Sequence, residues 1–225
     1  MVFMEKYTLY TLGSPNGIKI PIAMEEMNLH YNIKSVDITK NEQFKPSFVK
    51  INPRSKIPVL IDESFKGKDS LVIAESCAIL LYLADKHQKL ISQNPAGRAK
   101  TIEWLFYQAS TEGPTFGAYG HFSTYAKDKV KDPYPRERYL AETEKVLDFI
   151  NGELDGQEYL VENEYSIADI SMFPWVVWIK NFYNIENELD LSQFPKVMEW
   201  VSRCCQREKT KLGLETYHYL SISNN

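Results

Sequence analysis

Three short segments carry side chains that could bind a small ligand, and the first lies between a strand-like stretch and a helix-like stretch. Residues 11–19 read Thr-Leu-Gly-Ser-Pro-Asn-Gly-Ile-Lys. The start of a helix presents unsatisfied N–H groups and a partial positive charge, which favour an anion such as a thiolate. Ser14 and Asn16 add side-chain hydrogen-bond donors there. The alternative is ordinary capping of the helix by either side chain.

The second segment ends in a proline at the start of an apolar run. Residues 52–60 read Asn-Pro-Arg-Ser-Lys-Ile-Pro-Val-Leu. Pro58 has no N–H to donate to a sheet ladder. A cis bond between Ile57 and Pro58 would turn the Ile57 backbone outward, where it could pair with an extended peptide ligand. A trans proline on an edge strand is the alternative, and the spacing does not decide between the two.

The third segment, Ala-Glu-Ser at residues 74–76, precedes a helical pattern. Ser76 offers a hydroxyl and a backbone N–H to a ligand carboxylate at the helix start. Glu75 can accept a hydrogen bond from a ligand ammonium group. The alternative is a helix start that an acidic residue stabilises without any ligand.

The elements that must hold these segments alternate between strand and helix along the first third of the chain. Strand patterns lie near residues 7–12, 30–38, 58–62 and 70–73, and helix patterns near 18–28, 46–51 and 75–87. The order β-α-β-α-β-β-α predicts an α/β domain around one small mixed sheet, and the last two strands are expected to form a hairpin. We place this domain at residues 1–88 and a polar linker containing Pro95 and Gly97 at 89–99.

The remainder, residues 100–225, is expected to be an all-α domain. Helical periodicity occupies 101–109, 137–151, 167–181 and 194–207, whereas 125–135 resembles a charged loop. The sequence Ser166-Ile167-Ala168-Asp169 predicts a capping box with a structural role. The polar tail after Gly213 is expected to be loosely held.

Composition excludes several classes of protein. The 225 residues carry 26 Lys and Arg against 30 Asp and Glu, a net charge of −4, which gives no basis for binding nucleic acid or an anionic membrane. The longest apolar stretch, 173–179, is far below the ~18 residues of a membrane span, and no signal peptide is evident. Cys77, Cys204 and Cys205 fit neither a disulfide framework nor a metal site, which indicates reduced thiols in the cytoplasm.

Taken in order, the three segments resemble the glutathione site of the glutathione transferase superfamily. The form Ser-Pro-Asn-Gly-x-Lys, followed by Glu42-Gln43-Phe44 and Asn-Pro-x-x-Lys-Ile-Pro, is similar to the nu class of bacterial glutathione-dependent disulfide-bond oxidoreductases. The resemblance extends from about residue 7 to residue 207. It implies the glutathione transferase fold, which joins a thioredoxin-like βαβαββα domain to an all-α domain, and it implies a homodimer.

The resemblance also implies how glutathione binds. The peptide would lie along Ile57 and Pro58 as an extra strand, with Lys56 beside it. Glu75 and Ser76 would hold its γ-glutamyl end. Gln43 would hold the glycyl end or the backbone nearby.

For the sulfur atom, the resemblance implies that Ser14 and Asn16 are the catalytic donors. The class has threonine at the position of Ser14, so this chain keeps the hydroxyl and loses the methyl group. The loop offers no phenol, and Tyr7 and Tyr10 fall within a strand pattern that favours packing over chemistry.

In the second domain, similar sequences place an arginine that reaches glutathione. Arg138 is the expected residue here, and Arg136 is the competing choice. The alternative is that the arginine is only a solvated charge at the helix start. Phe116, Tyr119 and Phe122 are expected to line a pocket for the second substrate, although packing in the core is the commoner role for such aromatic residues.

The function implied is reduction of disulfides by an activated glutathione thiolate, with glutathione as co-substrate, no metal, and no protein cysteine. Two alternatives remain open from the sequence. The chain could conjugate glutathione to hydrophobic electrophiles, or it could be a non-catalytic glutathione-binding regulatory module, because the superfamily includes a regulatory protein of yeast. No sequence feature separates disulfide reduction from conjugation.

Overall fold

The computed structural model describes residues 7–65, 70–183 and 188–222. The chain forms two compact units, one made of Met1–Leu90 with Arg207–Asn225 and the other of Ile91–Gln206. None of the helices in the described ranges is both long enough and apolar enough to cross a membrane.

The first unit is built on a four-stranded mixed sheet. Its strands are β1 (Tyr7–Thr11), β2 (Tyr31–Ser35), β3 (Val59–Asp62) and β4 (Leu71–Ala74), in the spatial order β2-β1-β3-β4. β1 pairs parallel with β2 and antiparallel with β3, and β3 pairs antiparallel with β4. The expected mixed sheet and the hairpin of its last two strands are therefore present.

The register of the sheet defines two ends. Tyr7 is opposite Asp62, and Asp62 is opposite Leu71, so these residues lie at one end. Val59 is opposite both Tyr10 and Ala74 at the other end. The first helix follows β1 at this second end, and the third helix follows β4 there, so two helix N-termini lie at the same end of the sheet.

Helices cover the sheet and form the second unit. Those of the first unit are α1 (Pro15–Met27), α2 (Pro46–Val49), α3 (Ser76–His87) and the C-terminal α9 (Glu208–Ile222). Those of the second unit are α4 (Pro95–Tyr107), α5 (Gly113–Gly120), α6 (Tyr134–Glu153), α7 (Ile167–Phe182) and α8 (Pro195–Gln206). This arrangement confirms the predicted fold class of an α/β domain joined to an all-α domain.

Helix α1 contains a proline in its interior and remains continuous. Pro21 has no N–H, so the carbonyl of Gly17, four residues earlier, lacks its usual helical donor. The hydroxyl of Thr11 donates to that carbonyl at 3.0 Å. The end of β1 thus satisfies the group that the proline leaves unpaired, and it fixes the start of α1 against the sheet.

The predicted capping box at the start of α7 is confirmed. Ser166 accepts from the N–H of Ala168, and the Asp169 carboxylate accepts from the N–H of Ser166 at 2.9 Å. Asp169 is completely buried and also accepts from the Leu160 N–H at 3.0 Å and the Trp200 indole at 2.9 Å. It therefore ties α7 to α8 as a structural residue.

Two predicted boundaries differ from the structure. The expected linker 89–99 contains the start of α4, where the side chain of Asn94 accepts from the N–H of Ala96 and Pro95 takes the first helical position. Proline suits that position because its missing N–H has no partner there in any case. The predicted linker is therefore irregular only up to Asn94, and its last five residues belong to α4.

The second difference is at the C-terminus, where the tail expected to be loose is helix α9 packed on α1. Arg207 donates two 2.8 Å hydrogen bonds to the carboxylate of Glu26, and Thr210 donates a third at 2.9 Å. A Cβ on Gly213 would come within 2.5 Å of the Cα of Ile22, so only glycine allows this approach. The chain therefore returns to the first unit from Arg207 onward.

Candidate glutathione site

The loop between β1 and α1 places two donor side chains at a helix N-terminus. Ser14 has extended backbone angles and caps α1, because its Oγ accepts from the N–H of Gly17 at 3.1 Å. A hydroxyl that accepts through a lone pair keeps its own hydrogen to donate. Capping and ligand binding by Ser14 are thus compatible, and the two interpretations of this segment do not exclude each other.

Gly17 allows the loop to close tightly. A Cβ at this position would lie 2.1 Å from the carbonyl oxygen of Leu12 and 2.7 Å from Oγ1 of Thr11. Because no side chain fits, the first turn of α1 approaches the end of β1 directly. This close approach sets the position of Ser14 and of the N–H groups at the helix start.

Asn16 lies in a small polar cluster that joins α1 to α3. The ammonium group of Lys19 donates to Oδ1 of Asn16 at 2.7 Å, and the hydroxyl of Ser76 lies 3.5 Å from the same oxygen. Lys19 is completely buried and Ser76 is nearly so, whereas Asn16 is half-buried. The structure therefore brings together Asn16 and Ser76, two residues predicted to bind neighbouring parts of one ligand.

The Ile57–Pro58 bond is cis. Ile57 lies outside the ladder, because β3 begins at Val59 and pairs from there with β1 and β4. The preceding loop is held by Asn52, whose amide donates to the carbonyl of Lys56 at 2.8 Å. Ile57 is half-buried and Lys56 is exposed, so the edge beside them is accessible.

Glu75 has an unusual backbone between β4 and α3. Its φ is 74° and its ψ is 117°, a region that residues other than glycine rarely adopt. The side chain is exposed and makes a 3.3 Å ion pair with Arg54, which is exposed as well. Ser76 begins α3 directly afterwards, so a carboxylate and a helix N-terminus stand side by side.

Gln43 lies on a short 3-10 turn, Glu42–Phe44, ahead of α2. Its amide oxygen Oε1 is buried and has no hydrogen-bond partner. A buried acceptor without a donor costs free energy, so a donor from a ligand would stabilise it. Among the described residues, no hydrogen bond joins Gln43 to the cluster around Asn16.

The two arginines considered for the second unit lie in different surroundings. Arg136 makes a 3.0 Å ion pair with Glu188 and is only partly exposed. Arg138, one turn into α6, is exposed and donates to the Tyr134 hydroxyl at 3.2 Å. Of the two, Arg138 has the guanidinium that is not engaged by a carboxylate in the described ranges.

The three aromatic residues expected to line the second-substrate pocket differ in burial. Phe116 and Tyr119 are completely buried, and the Tyr119 hydroxyl donates to Glu188 at 3.3 Å. Both side chains therefore lie in the core of the second unit, and their contact with a second substrate stays a prediction. Phe122 is half-buried and stacks on Tyr139 with their ring centroids 5.8 Å apart, so it alone of the three keeps accessible surface.

The cysteines all lie in the described ranges, and none of them forms a disulfide bond. Cys204 is buried and Cys77 is half-buried directly after Ser76. Burial raises the pKa of Cys205, against a smaller opposing effect of Lys180, and so disfavours its thiolate. In the described part of the chain, no group of His, Cys, Asp or Glu side chains is arranged to hold a metal ion.

Two residues at this site carried no assignment from the sequence. Lys19 lies in a helix, and a lysine there is expected to be exposed. In the structure it is buried and contacts Asn16, three residues earlier. Spacing of three residues on a helix is the signal that could have indicated the contact. Arg54, the partner of Glu75, comes from a loop 21 residues earlier, a contact that no local pattern indicates.

These features define a class of protein: a thioredoxin-like unit with a cis-proline edge and two helix N-termini, joined to a helical unit. The family models for the glutathione S-transferase N-terminal domain and C-terminal domain match residues 5–85 and 116–208. The chain belongs to the glutathione S-transferase family, as the resemblance of its motifs predicted.

Relatives and solved structures agree with this assignment. The chain is 39% identical over 208 residues to the disulfide-bond oxidoreductase YfcG of Escherichia coli, covering 92% of this chain and 93% of that protein. It matches a Pseudomonas putida glutathione transferase that has one glutathione disulfide bound per subunit, at a TM-score of 0.90 and 36% identity over 96% and 93% of the two chains. A Burkholderia graminis glutathione transferase with two glutathione molecules per subunit also matches at 0.90, with 38% identity over 96% and 90%.

Proposed function

We propose that this protein reduces disulfide bonds with glutathione and that the nucleophile is the thiolate of bound glutathione. The observation that carries the proposal is the loop at the start of α1, where Ser14 and Asn16 stand at a helix N-terminus. Relatives similar over nearly the whole chain are named disulfide-bond oxidoreductases or have glutathione bound.

Activation of the sulfur requires preferential stabilisation of its charged form. A thiol pKa near 8.5 leaves most of the group protonated at neutral pH, and lowering it by ~2 units takes about 2.7 kcal/mol. Hydrogen bonds to a charged acceptor contribute roughly 1.5–3 kcal/mol each. Donation by Ser14 and Asn16, with the partial charge of the α1 N-terminus, would supply that amount.

The rest of glutathione would be held at the same end of the sheet. The backbone beside Ile57 and the cis-Pro58 would pair with the peptide as an added strand, with the exposed Lys56 alongside. The γ-glutamyl end would place its carboxylate at Ser76 and its ammonium group at Glu75. Gln43 would accept from the ligand through its unpartnered amide oxygen.

In the second unit, Arg138 would offer its exposed guanidinium to a carboxylate, and Phe122 would offer its half-buried ring to the second substrate. Arg136 is a poorer candidate because Glu188 already neutralises its charge.

The reaction proceeds by two exchanges. The glutathione thiolate attacks one sulfur of the substrate disulfide, the S–S bond breaks, and the other half leaves as a thiolate. The thiolate of a second glutathione then attacks the glutathione sulfur of the mixed disulfide. Two glutathione molecules are oxidised to one glutathione disulfide, the substrate gains two electrons, and the two glutathione thiol protons pass to the two thiolates released.

The proposal is tested by glutathione-dependent reduction of a small dialkyl disulfide, coupled to NADPH oxidation through glutathione reductase. Turnover that persists after Cys77, Cys204 and Cys205 are all replaced is the expected result, because no protein thiol takes part. Absent turnover with glutathione binding intact would contradict the proposal and favour a conjugating transferase or a binding module.

We further propose that the protein acts as a homodimer in the cytoplasm. The second unit exposes apolar rings at Phe106 and Phe149, which are 69% and 44% exposed, and a second copy would cover such surface. Free cysteines suit a reducing compartment. Light scattering during gel filtration should give twice the chain mass of 26.1 kDa, and the single chain mass would contradict the dimer.

A further inference from the structure

Lys19 is the feature of the site that the proposed function does not yet use. Its side chain is completely buried on α1, and its ammonium group donates to Oδ1 of Asn16 at 2.7 Å. Lysine is almost never fully buried without a partner, because removing its charge from water is costly. A buried lysine at a ligand site therefore calls for an explanation beyond packing.

The chemistry of the two groups makes their contact directional. The Asn16 amide has an acceptor end, Oδ1, and a donor end, Nδ2, which are nearly identical in shape. The ammonium group of Lys19 only donates, so it selects the oxygen and repels the amide hydrogens. The hydroxyl of Ser76 lies 3.5 Å from the same oxygen and favours the same orientation.

We propose that Lys19 is a positioning residue that locks the Asn16 amide with its NH₂ end turned away from Lys19 and toward the glutathione sulfur. The inference rests on the proposed function, in which Asn16 donates to the thiolate. Without the lock, the amide can rotate and present its oxygen to the sulfur, which repels the thiolate and favours the thiol.

The lock is built from adjacent turns of secondary structure. Asn16 and Lys19 are three residues apart on one face of α1, and Ser76 begins α3 at the same end of the sheet. Because Lys19 has no exposed surface, water does not compete for its hydrogen bond. The orientation of the amide is therefore set before glutathione binds.

The test is the pKa of the thiol of bound glutathione, followed by the ultraviolet absorbance of the thiolate against pH. Lys19→Met removes the donor and keeps a similar volume. We expect it to raise the thiol pKa by about one unit and to lower kcat at neutral pH about tenfold, with a much smaller change in KM for glutathione. Lys89→Met is the matched control, since Lys89 donates at 2.7 Å to the Met27 carbonyl at the other end of α1.

Repeating the measurement in an Asn16→Ala protein distinguishes positioning of Asn16 by Lys19 from a structural role of Lys19 and from its direct electrostatic effect on the sulfur. If Lys19 acts through Asn16, Lys19→Met has no further effect on the thiol pKa in an Asn16→Ala protein. An equal rise in both backgrounds, or an unchanged thiol pKa in a folded Lys19→Met protein, would overturn the inference. Should Lys19→Met not fold, Lys19→Leu, which also lacks a donor, replaces it under the same criterion. The thiol pKa is read on bound glutathione without turnover, so failure of the proposed disulfide reduction is seen separately.

Discussion

A polar cluster lies at each end of the sheet in the first unit. The two clusters differ in the role of their polar groups, which hold the fold together at one end and are proposed to bind a ligand at the other. At the end where β1 begins, the fully buried Asp62 carboxylate accepts from Tyr82 at 2.5 Å, from Lys86 at 2.6 Å, and from the N–H and hydroxyl of Ser64. We call this the complete end. At the other end, which we call the open end, Ser14 and Asn16 make internal contacts and are also the residues proposed to donate to a ligand.

The comparison separates polar groups that stabilise the fold from polar groups that perform chemistry. A carboxylate with four internal donors has no capacity left for a ligand, so the Asp62 cluster is structural. Burial alone would raise the pKa of Asp62, but the hydrogen bonds from Lys86, Ser64 and Tyr82 outweigh it and lower the pKa to about 2. In the proposed function, by contrast, Ser14 and Asn16 donate to an incoming negative charge.

The largest expected effect is on stability at the complete end. Asp62→Ala leaves the partly buried Lys86 without its carboxylate, and breaking a buried ion pair costs about 3 kcal/mol or more in free energy of unfolding. Urea denaturation measures this loss in free energy of unfolding. Disulfide reduction per folded molecule should not change, because Asp62 lies at the other end of the sheet.

The control is an exposed ion pair of similar length. Asp155 and Lys196 are 2.8 Å apart, but their side chains are 77% and 40% exposed. Asp155→Ala should therefore have a much smaller effect than Asp62→Ala, because water screens the pair. Equal losses would show that burial is not what makes the Asp62 cluster stabilising.

The next effect is on activity at the open end. Asn16→Ala should lower turnover about a hundredfold, the cost of removing one donor that stabilises a developing or bound anion. The free energy of unfolding should fall as well, because the change removes the oxygen that accepts from the buried Lys19 ammonium group, so turnover is compared per folded molecule. Asn32→Ala, an exposed change on β2, is the matched control. Undiminished turnover in Asn16→Ala would mean that another group activates the sulfur.

The third effect is a pH dependence at the complete end. A folded-state pKa of about 2, below the ordinary 3.8, means that ionised Asp62 stabilises the protein above about pH 4. That stability, about 2 kcal/mol, is lost as the pH falls from 4 toward 2. The difference in free energy of unfolding between wild type and Asp62→Asn should shrink over this range, and a difference independent of pH would contradict the assignment.

The smallest effect concerns the cap at the open end. Ser14→Ala removes the hydrogen bond to the Gly17 N–H and the donor to sulfur, so stability should fall by about 1 kcal/mol and turnover about tenfold. Ser14→Thr keeps the hydroxyl and should resemble wild type in both measurements. If Ser14→Thr were as impaired as Ser14→Ala, the hydroxyl would not be the active feature.

Local patterns predicted most of the fold and singled out the segments of the candidate site. Strand and helix periodicities placed β1 to β4 and the helices α1, α3, α6, α7 and α8 within a few residues, because apolar spacing, prolines and turn residues act over short distances. They placed the start of α4 six residues too late and did not predict α5 or α9. The capping box of Ser166 and Asp169 was readable for the same reason, since its residues are three apart. The ordered motifs around Asn16, Pro58 and Ser76 identified the family before any contact was known.

Contacts between residues that are far apart along the chain could not be predicted from the sequence. The polar segment after Arg207 is a helix because Glu26, 181 residues earlier, binds Arg207 and because Gly213 fits against Ile22. Neither side of that contact is apolar enough to indicate it in isolation. The interior positions of Phe116 and Tyr119, expected at a pocket, likewise depend on helices that pack around them.

By itself, the sequence determined the order of the elements in the first unit up to α3, the family, and the residue types expected to meet glutathione, since these follow from local spacing and ordered motifs. Only the tertiary structure decided that the Ile57–Pro58 bond is cis, that Lys19 is buried against Asn16, and that one end of the sheet is complete while the other is open. The physical reason is that burial and hydrogen-bond completion belong to the packed whole, where residues from separate elements supply each other's missing partners.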